Sequence, residues 1–149
     1  MKLSTKTRYG MRAMVDLSLH YGKGFVLLKE IAKRQEISMK YLDHIISALK
    51  ASGLIESAKM RHSGYVLSRP PCKIKAYEII RAVEGSLTPV DCVDNPNICQ
   101  RANACAIINL WKKLKNSMIS VLEGVTLEDL AKEQREVMEQ QTKGKMYYI

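Results

Sequence analysis

The amino-acid sequence predicts a mainly α-helical protein with one small β-hairpin. Apolar residues recur at three- and four-residue spacing over most of the chain, which is the period of an amphipathic helix. Between residues 54 and 67 this period gives way to two short extended segments that flank a polar one. After residue 106 a long, regular row of apolar residues predicts a helical extension beyond the first domain.

Three short helices are predicted before residue 54. The first covers about residues 4–21, and the second begins near residue 27 and ends near Gln35. Ser38 can cap the third, since serine accepts a hydrogen bond from the first free backbone N–H groups of a helix. That third helix ends at Gly53 and has one apolar face, made of Leu42, Ile45, Ile46 and Leu49.

The hairpin and a fourth helix complete the predicted first domain. The strands begin at Leu54 and Gly64, and the polar segment between them is basic. After the break at Pro70, a fourth helix is predicted up to Gly85, with an apolar row at Ile74, Tyr77, Ile80 and Val83. Three short helices followed by a basic hairpin are the element order of a winged helix-turn-helix domain, predicted here over residues 1–84.

Positive charge is concentrated in this first domain. Residues 1–75 contain 15 Lys+Arg and 5 Asp+Glu, whereas residues 76–149 contain 9 and 10. A basic surface releases counterions from phosphates, so double-stranded DNA is the expected partner. A basic surface that is merely solvated is the alternative.

The predicted fold selects the residues expected to contact DNA. In such domains the helix after the turn enters the major groove, and the hairpin, or wing, reaches the backbone or minor groove. Contacts are therefore predicted from the first turns of helix three, from the wing tip and from helix one: Ser38, Lys40, Tyr41, His44, Lys59, Arg61, His62, Arg8 and Arg12. The alternatives are a buried Tyr41 and ordinary solvated surface positions for the others.

A loop rich in cysteine is predicted over residues 85–105, where Pro89, Pro96 and several asparagines occur. It contains Cys92, Cys99 and Cys105 within fourteen residues. The N-terminus has no apolar signal region, and no apolar run approaches the roughly 18 residues that cross a bilayer. A reducing cytoplasm and no membrane contact are therefore expected, and the cysteines are interpreted as metal ligands, redox-sensing thiols or packing residues.

A regular apolar seam is predicted in the long helix after this loop. Its residues are spaced by 4, 3, 4, 3 and 4 positions, ending at Val125. Such a seam is typical of a helix that meets a partner helix, and it predicts a homodimer with interface residues Ile107, Trp111, Leu114, Met118 and Val121. Packing on its own domain is the alternative. Dimerisation helices are expected over residues 106–141, the last of them capped by Thr126, and a C-terminal tail over residues 142–149.

Several segments of the chain resemble those of a known protein family. The opening LSTKTRYG, the stretch ISMKYL and the stretch SGYVLSRP resemble the winged-helix repressor family that includes the iron–sulfur regulator IscR, the nitric-oxide sensor NsrR and the cysteine-metabolism repressor CymR. The likeness covers about residues 1–140 and implies a dimeric transcription repressor that reads a palindromic operator. Family members often have Glu at the position of Asp43, which implies that Asp43 contacts cytosine N4. Their glycine-rich wing tip is replaced here by KMRHSGY.

The resemblance also implies a cofactor. Cluster-binding members have three cysteines in this loop, so Cys92, Cys99 and Cys105 are expected to hold an iron–sulfur cluster, 2Fe-2S rather than 4Fe-4S, that modulates operator binding. The family's usual fourth ligands fall on Ile108 and Arg8, neither of which can ligate iron. The remaining candidates are Cys72, Asp91, Asp94, Asn109 and a hydroxyl near Thr5.

Other mechanisms remain open for the same regulator. Thiol oxidation, zinc, or a protein partner with no cluster would each account for the cysteines. An enzyme is not expected, because the chain has neither a phosphate-binding glycine loop nor a nucleophile motif.

Overall fold

The computed structural model describes residues 2–60 and 64–147. These two ranges contain six α-helices and one two-stranded antiparallel sheet, so the predicted fold class is confirmed. The elements are α1 (Thr5–Leu19), α2 (Leu28–Gln35), α3 (Met39–Ala51), β1 (Ile55–Ser57), β2 (Tyr65–Leu67), α4 (Ala76–Glu84), α5 (Ile108–Glu123) and α6 (Leu127–Met146). None of the helices in the described ranges is long and apolar enough to cross a membrane.

Helix α3 begins and α2 ends where local chemistry requires it. The Ser38 hydroxyl accepts a hydrogen bond from the backbone N–H of Tyr41 at 3.2 Å, which satisfies one free donor of α3. Glu36, with φ of 54°, adopts the left-handed conformation that ends α2. These two adjacent boundaries form the tight turn between α2 and α3.

The core lies between α1, α3 and α4, with α2 and the hairpin closing its sides. Its largest fully buried side chains are apolar and come from all of these elements and from the start of α6: Met14, Leu17, Ile31, Leu42, Ile45, Ile46, Leu49, Leu54, Ile55, Ile74, Ile79 and Leu127. Helices α1 and α4 cross closely at Gly10, where an added Cβ would lie 3.2 Å from Cγ1 of Val83. Burial of this apolar surface provides the main stabilisation of the domain.

The hairpin is attached to the loop between α1 and α2. Within it, Ile55 pairs with Leu67 and Ser57 with Tyr65. The backbones of Val26 and Tyr65 exchange two hydrogen bonds of 2.9 and 2.8 Å. This bridge fixes the wing relative to the helical core.

Helix α6 begins in this core, where its first turns pack on α1, and its remainder leaves the core. Leu127 and Ala131 at the start of α6 are buried, whereas residues 132–147 are exposed. Helix α6 runs to Met146 and so includes five residues that we predicted as part of a separate tail. Gly144 lies in this segment but does not adopt a positive φ, so the helix continues through it. Helix α5 contacts α4 and the turn at residues 91–93.

Helix α5 starts later than the sequence predicts. We expected the dimerisation helices to begin at residue 106, directly after Cys105, but residues 102–104 form a 3-10 turn and α5 begins at Ile108. Ile107 occupies the capping position and offers no side-chain acceptor for the free N–H groups. The start is therefore not marked by a capping residue that sequence reasoning can detect.

Candidate nucleic-acid interface and cysteine loop

The N-terminal turns of α3 present polar side chains to solvent. Ser38, Lys40, Asp43 and His44 are exposed, and Tyr41 is 37% exposed. The alternative of a buried Tyr41 is therefore not what the structure shows. Side chains at this end of a helix after a tight turn are placed to reach base edges and phosphates in a major groove.

Helix α1 supplies a second part of the same face. The Tyr9 ring meets Tyr41 edge-to-face, with ring centroids 5.8 Å apart and an interplanar angle of 88°. The guanidinium of Arg12 lies over Tyr9, with Cζ 5.5 Å from the ring centroid. Arg8 is exposed on the same helix, and its Nη2 is 3.5 Å from Oγ1 of Thr5. Helix α1 thus brings two arginines to the side of α3.

The wing supplies a third part. Lys59 is exposed at the end of the described part of the hairpin. Arg61 and His62, which we predicted at the wing tip, lie outside the described residues. Asp43, Lys50 and Ser57 line one groove between α3 and the hairpin, so α3 and the wing border a shared concave surface.

A buried carboxylate underlies this face and was missed by sequence reasoning. Asp16 is 2% exposed, and its two oxygens accept hydrogen bonds from Arg34 Nε at 2.9 Å and Nη2 at 2.7 Å. Gln35 Nε2 donates to the same carboxylate at 3.0 Å. The hydrogen bond to Asp16 raises the pKa of Arg34 above its ordinary value, against the opposing effect of partial burial. The available signal was an acidic residue between the apolar positions of the first helix.

The cysteine loop, residues 85–105, is built from three 3-10 turns. Cys92 lies within the first turn, Asp91–Val93, and Cys99 and Cys105 directly follow the second and third turns. All three thiols are half-buried and none forms a disulfide. Cys72 is also a free thiol, but it is exposed in a turn just after the hairpin.

Asp94 ties this loop to its surroundings. Its carboxylate accepts hydrogen bonds from Nζ of Lys115 on α5 and from the hydroxyl of Ser86 at the start of the loop. The hydrogen bond from Lys115 and, to a smaller extent, that from Ser86 hold the pKa of Asp94 below its ordinary value. The candidate fourth ligand Asp94 is therefore engaged in an ion pair, and the loop is attached to α5.

The loop has suitable donors for a soft metal but does not gather them. Thiolates are the ligands that iron–sulfur clusters and zinc prefer. Among residues 2–60 and 64–147, however, no three His, Cys, Asp or Glu side chains form a group that could hold a metal. Ile108, at the usual histidine position, is buried with an aliphatic side chain, and Arg8 is a cation. The three cysteines are of the right chemical type for an iron–sulfur cluster, but the loop would have to rearrange to bring their thiolates together.

The apolar seam of α5 is left largely uncovered by its own chain. Ile107 is 56% exposed and Val121 67% exposed, while Trp111, Leu114 and Met118 are half-buried. Along α5, all of which is described, Ile108 is the one buried residue, and it lies outside the seam. Packing on its own domain therefore does not account for the seam.

The helix-turn-helix, its wing and its basic, exposed contact face define a winged-helix, DNA-binding regulator of transcription. Comparison with known families makes this more specific: residues 3–133 match the model of Rrf2, described as an iron-dependent transcriptional regulator. The chain belongs to the Rrf2 family, and the resemblance seen in the sequence is confirmed.

Relatives and solved structures agree with this assignment. The chain is 37% identical to the transcriptional regulator CymR of Bacillus subtilis, over 88% of this chain and 90% of that one. It is also 37% identical to the regulator IscR of Xenorhabdus nematophila, over 90% of this chain and 81% of that one. The solved structure of T. potens IscR superposes with a TM-score of 0.74 at 39% identity, covering 92% and 90% of the two chains. These relatives are regulators and not enzymes, as the sequence predicts for this chain.

Proposed function

We propose that the protein is a homodimeric transcription repressor whose binding to a palindromic operator is modulated by an iron–sulfur cluster on the cysteine loop. The observation that carries the proposal is the placement of three free, half-buried thiols on one loop that is tied to the exposed helix α5. The family's description as iron-dependent supports it. Because its partner is DNA, we further propose that the protein works in the cytoplasm.

Operator binding is assigned to the exposed side chains around α3. In this proposal the exposed Lys40 and Lys59 neutralise phosphates, and the exposed Tyr41 and Asp43 contact base edges. Arg61 belongs to the same proposal from its position in the sequence. Two copies of this face related by a two-fold axis read two half-sites, which is why the operator is expected to be palindromic.

Dimerisation is assigned to the seam of α5. A two-fold interface uses the same patch on both subunits, and an apolar row at heptad spacing is self-complementary in that way. Ile107 and Val121, the first and last of the predicted interface residues, are exposed, and Trp111 lies between them in the sequence. Burial against a second copy would remove that apolar surface from water.

The three cysteines would hold the cluster, which when bound supplies an iron centre that responds to iron supply and oxidants. The residues around it determine what such a response changes in the protein. Gathering the thiols requires the 3-10 turns to rearrange, and Asp94 lies between Cys92 and Cys99 while pairing with Lys115. A change in the loop is therefore placed to act on α5 and on the spacing between the two α3 helices of a dimer.

DNA contact is tested by removing cations from the proposed face. The double variant Lys40→Ala/Lys59→Ala removes four cations from a dimer and should lower the log–log salt slope of operator binding by up to about 3.6. Its control, Lys132→Ala/Lys145→Ala, makes the same change in net charge on exposed positions of α6. Unchanged binding in the first variant, or an equal loss in the control, would remove the assignment of this face.

The cluster is tested by colour and composition. Protein purified without oxygen should show visible charge-transfer bands together with iron and sulfide, and Cys92→Ala should lose all three. Cys72→Ala is the matched control, because Cys72 is an exposed thiol outside the loop. A colourless wild-type protein, even after anaerobic reconstitution with iron and sulfide, would exclude the cluster.

A regulator without a cluster is the second candidate. Two observations favour it: the described residues hold no three-ligand group, and CymR of B. subtilis, whose solved structure is titled a global cysteine regulator, is similar to this chain. In that case the loop senses through thiol oxidation, zinc or a protein partner. Zinc analysis and thiol titration of the colourless protein, before and after peroxide, distinguish these signals.

A further inference from the structure

We propose that Gln35 is a positioning residue for DNA binding: it orients Arg12 and, through Tyr9, the Tyr41 side chain at the start of α3. The inference rests on the proposed role of this face in DNA binding. Gln35 is the last residue of α2, and it joins the buried Asp16 to the exposed Arg12 by hydrogen bonds at both ends of its amide.

The amide of Gln35 can satisfy its two partners in one orientation. Its Nε2 donates to Oδ2 of Asp16 at 3.0 Å, and its Oε1 accepts from Nε of Arg12 at 3.1 Å. The reversed amide would place a donor against the arginine N–H and an oxygen against the carboxylate. The backbone carbonyl of Gln35 also accepts from Nη2 of Arg12. The side-chain oxygen and the backbone carbonyl of Gln35 therefore both bind the guanidinium of Arg12.

Asp16 gives this arrangement a fixed point. Its carboxylate is buried and is held by the paired hydrogen bonds from Arg34. A side chain whose partner is buried and bidentately paired has little freedom to change rotamer. Gln35 thus fixes the exposed Arg12 relative to the buried Asp16.

Arg12 remains available for phosphate while it is held. Its hydrogen-bond acceptors are an amide and a carbonyl, and among the described residues it forms no ion pair with a carboxylate. Two of its five N–H groups are used in these contacts, which leaves the others for a phosphate oxygen. Its full charge is therefore presented in a fixed orientation.

The same guanidinium reaches the first turn of α3 through an aromatic pair. It covers the Tyr9 ring at 5.5 Å, and Tyr9 packs edge-to-face on Tyr41. Fixing Arg12 therefore limits the freedom of both rings. Side chains that are already ordered in the free protein lose less entropy on binding, so the arrangement favours the specific complex.

The inference is tested with Gln35→Met, which keeps the length of the side chain, removes both hydrogen bonds of the side-chain amide and leaves the one to the backbone carbonyl. The probes are a duplex selected by the wild-type protein from a random library and a scrambled duplex of equal length. Gln35→Met should weaken binding to the selected duplex by about 3- to 30-fold for the dimer, with the salt slope unchanged because no cation is lost. Binding to the scrambled duplex should change less.

A double-mutant cycle separates positioning from a general effect on stability. Arg12→Met should lower the salt slope by up to about 1.8 for two subunits. In that background Gln35→Met should cost no further affinity, because the residue it positions is gone. A loss from Gln35→Met that persists in full without Arg12, or wild-type affinity in Gln35→Met alone, would overturn the inference.

Arg12→Lys gives a second readout that does not depend on how Gln35→Met folds. The lysine keeps the charge but loses the Nε hydrogen bond and the planar group over Tyr9. It should therefore keep the wild-type salt slope and lose preference for the selected duplex; retained preference would contradict the inference. If the wild-type protein selected no duplex from the random library, the proposed function itself would instead be rejected.

Discussion

The position of the wing should depend on the absence of a side chain at Gly64. This glycine has φ of 90°, a conformation that L-residues rarely adopt. An added Cβ would fall on the carbonyl group of Val26, 2.7 Å from its carbon and closer still to its oxygen. That carbonyl accepts the 2.8 Å hydrogen bond from Tyr65 that helps to hold the wing. Gly64→Ala therefore cannot be accommodated without moving the two backbones apart.

The size of the effect follows from these contacts. The left-handed conformation costs an L-residue about 1–2 kcal/mol. Separating the backbones also breaks the two hydrogen bonds between Val26 and Tyr65, at about 1 kcal/mol each. The expected total is about 3–4 kcal/mol in the free energy of unfolding. Gly53→Ala is the matched control, because Gly53 also has a positive φ, 72°, but an added Cβ would meet nothing within 4 Å.

Urea unfolding of the two variants, followed by circular dichroism, measures this difference. Gly64→Ala should lose about 2 kcal/mol more than Gly53→Ala, and it alone should weaken operator binding because the wing is displaced. Equal losses in the two variants would show that the added Cβ does not disrupt the bridge between Val26 and Tyr65. Unchanged operator affinity in Gly64→Ala would refute the assignment of the wing to DNA.

Two further changes test the attachment of α1 to α4 and the seam of α5. Hydrogen bonds from Ser4 and then Thr7 hold the pKa of Glu84 below its ordinary value of 4.5. A depressed carboxyl pKa stabilises the fold at pH values above the unfolded pKa, and that stabilisation is lost as the pH falls through the lower, folded pKa. The urea midpoints of wild type and Glu84→Gln should therefore converge as the pH falls below 4.5; a constant gap would argue against these hydrogen bonds. Val121→Glu should yield monomers in sedimentation, because a charge would be buried in the dimer interface. Phe25→Glu, also at an exposed apolar position, should not. A dimeric Val121→Glu protein would exclude the seam of α5 as the dimer interface.

Features set by neighbouring residues were predictable from the sequence. The start of α3 follows from the Ser38 hydroxyl three residues before the N–H that it satisfies, and its buried face follows from apolar spacing. The hairpin follows from a change in period, and its pairing of Ile55 with Leu67 confirms the interpretation. In each case the stabilising partner lies within the same element or the adjacent one.

Features that need distant partners were not predictable. Asp16 is separated from Arg34 by 18 residues, and no local pattern states that their side chains meet. The first turn of α5 has no capping acceptor at Ile107, so its position depends on the 3-10 turns before it. The spacing of the cysteines likewise identifies soft donors, but whether they converge depends on how the loop is held by Lys115 and Ser86.

Helix α1 is the element through which the two functional regions are physically connected. Its first turn is joined to α4 by the hydrogen bonds from Ser4 and Thr7 to Glu84, and the cysteine loop starts at the next residue of the chain. Its middle is joined to the end of α2 by Asp16 and carries Tyr9 against α3. Because packed helices shift as rigid bodies, a displacement of the end of α4 would be carried along α1 to α3. The proposed response of DNA binding to the cysteine loop therefore has a contiguous structural basis within a single subunit, in addition to the one through α5.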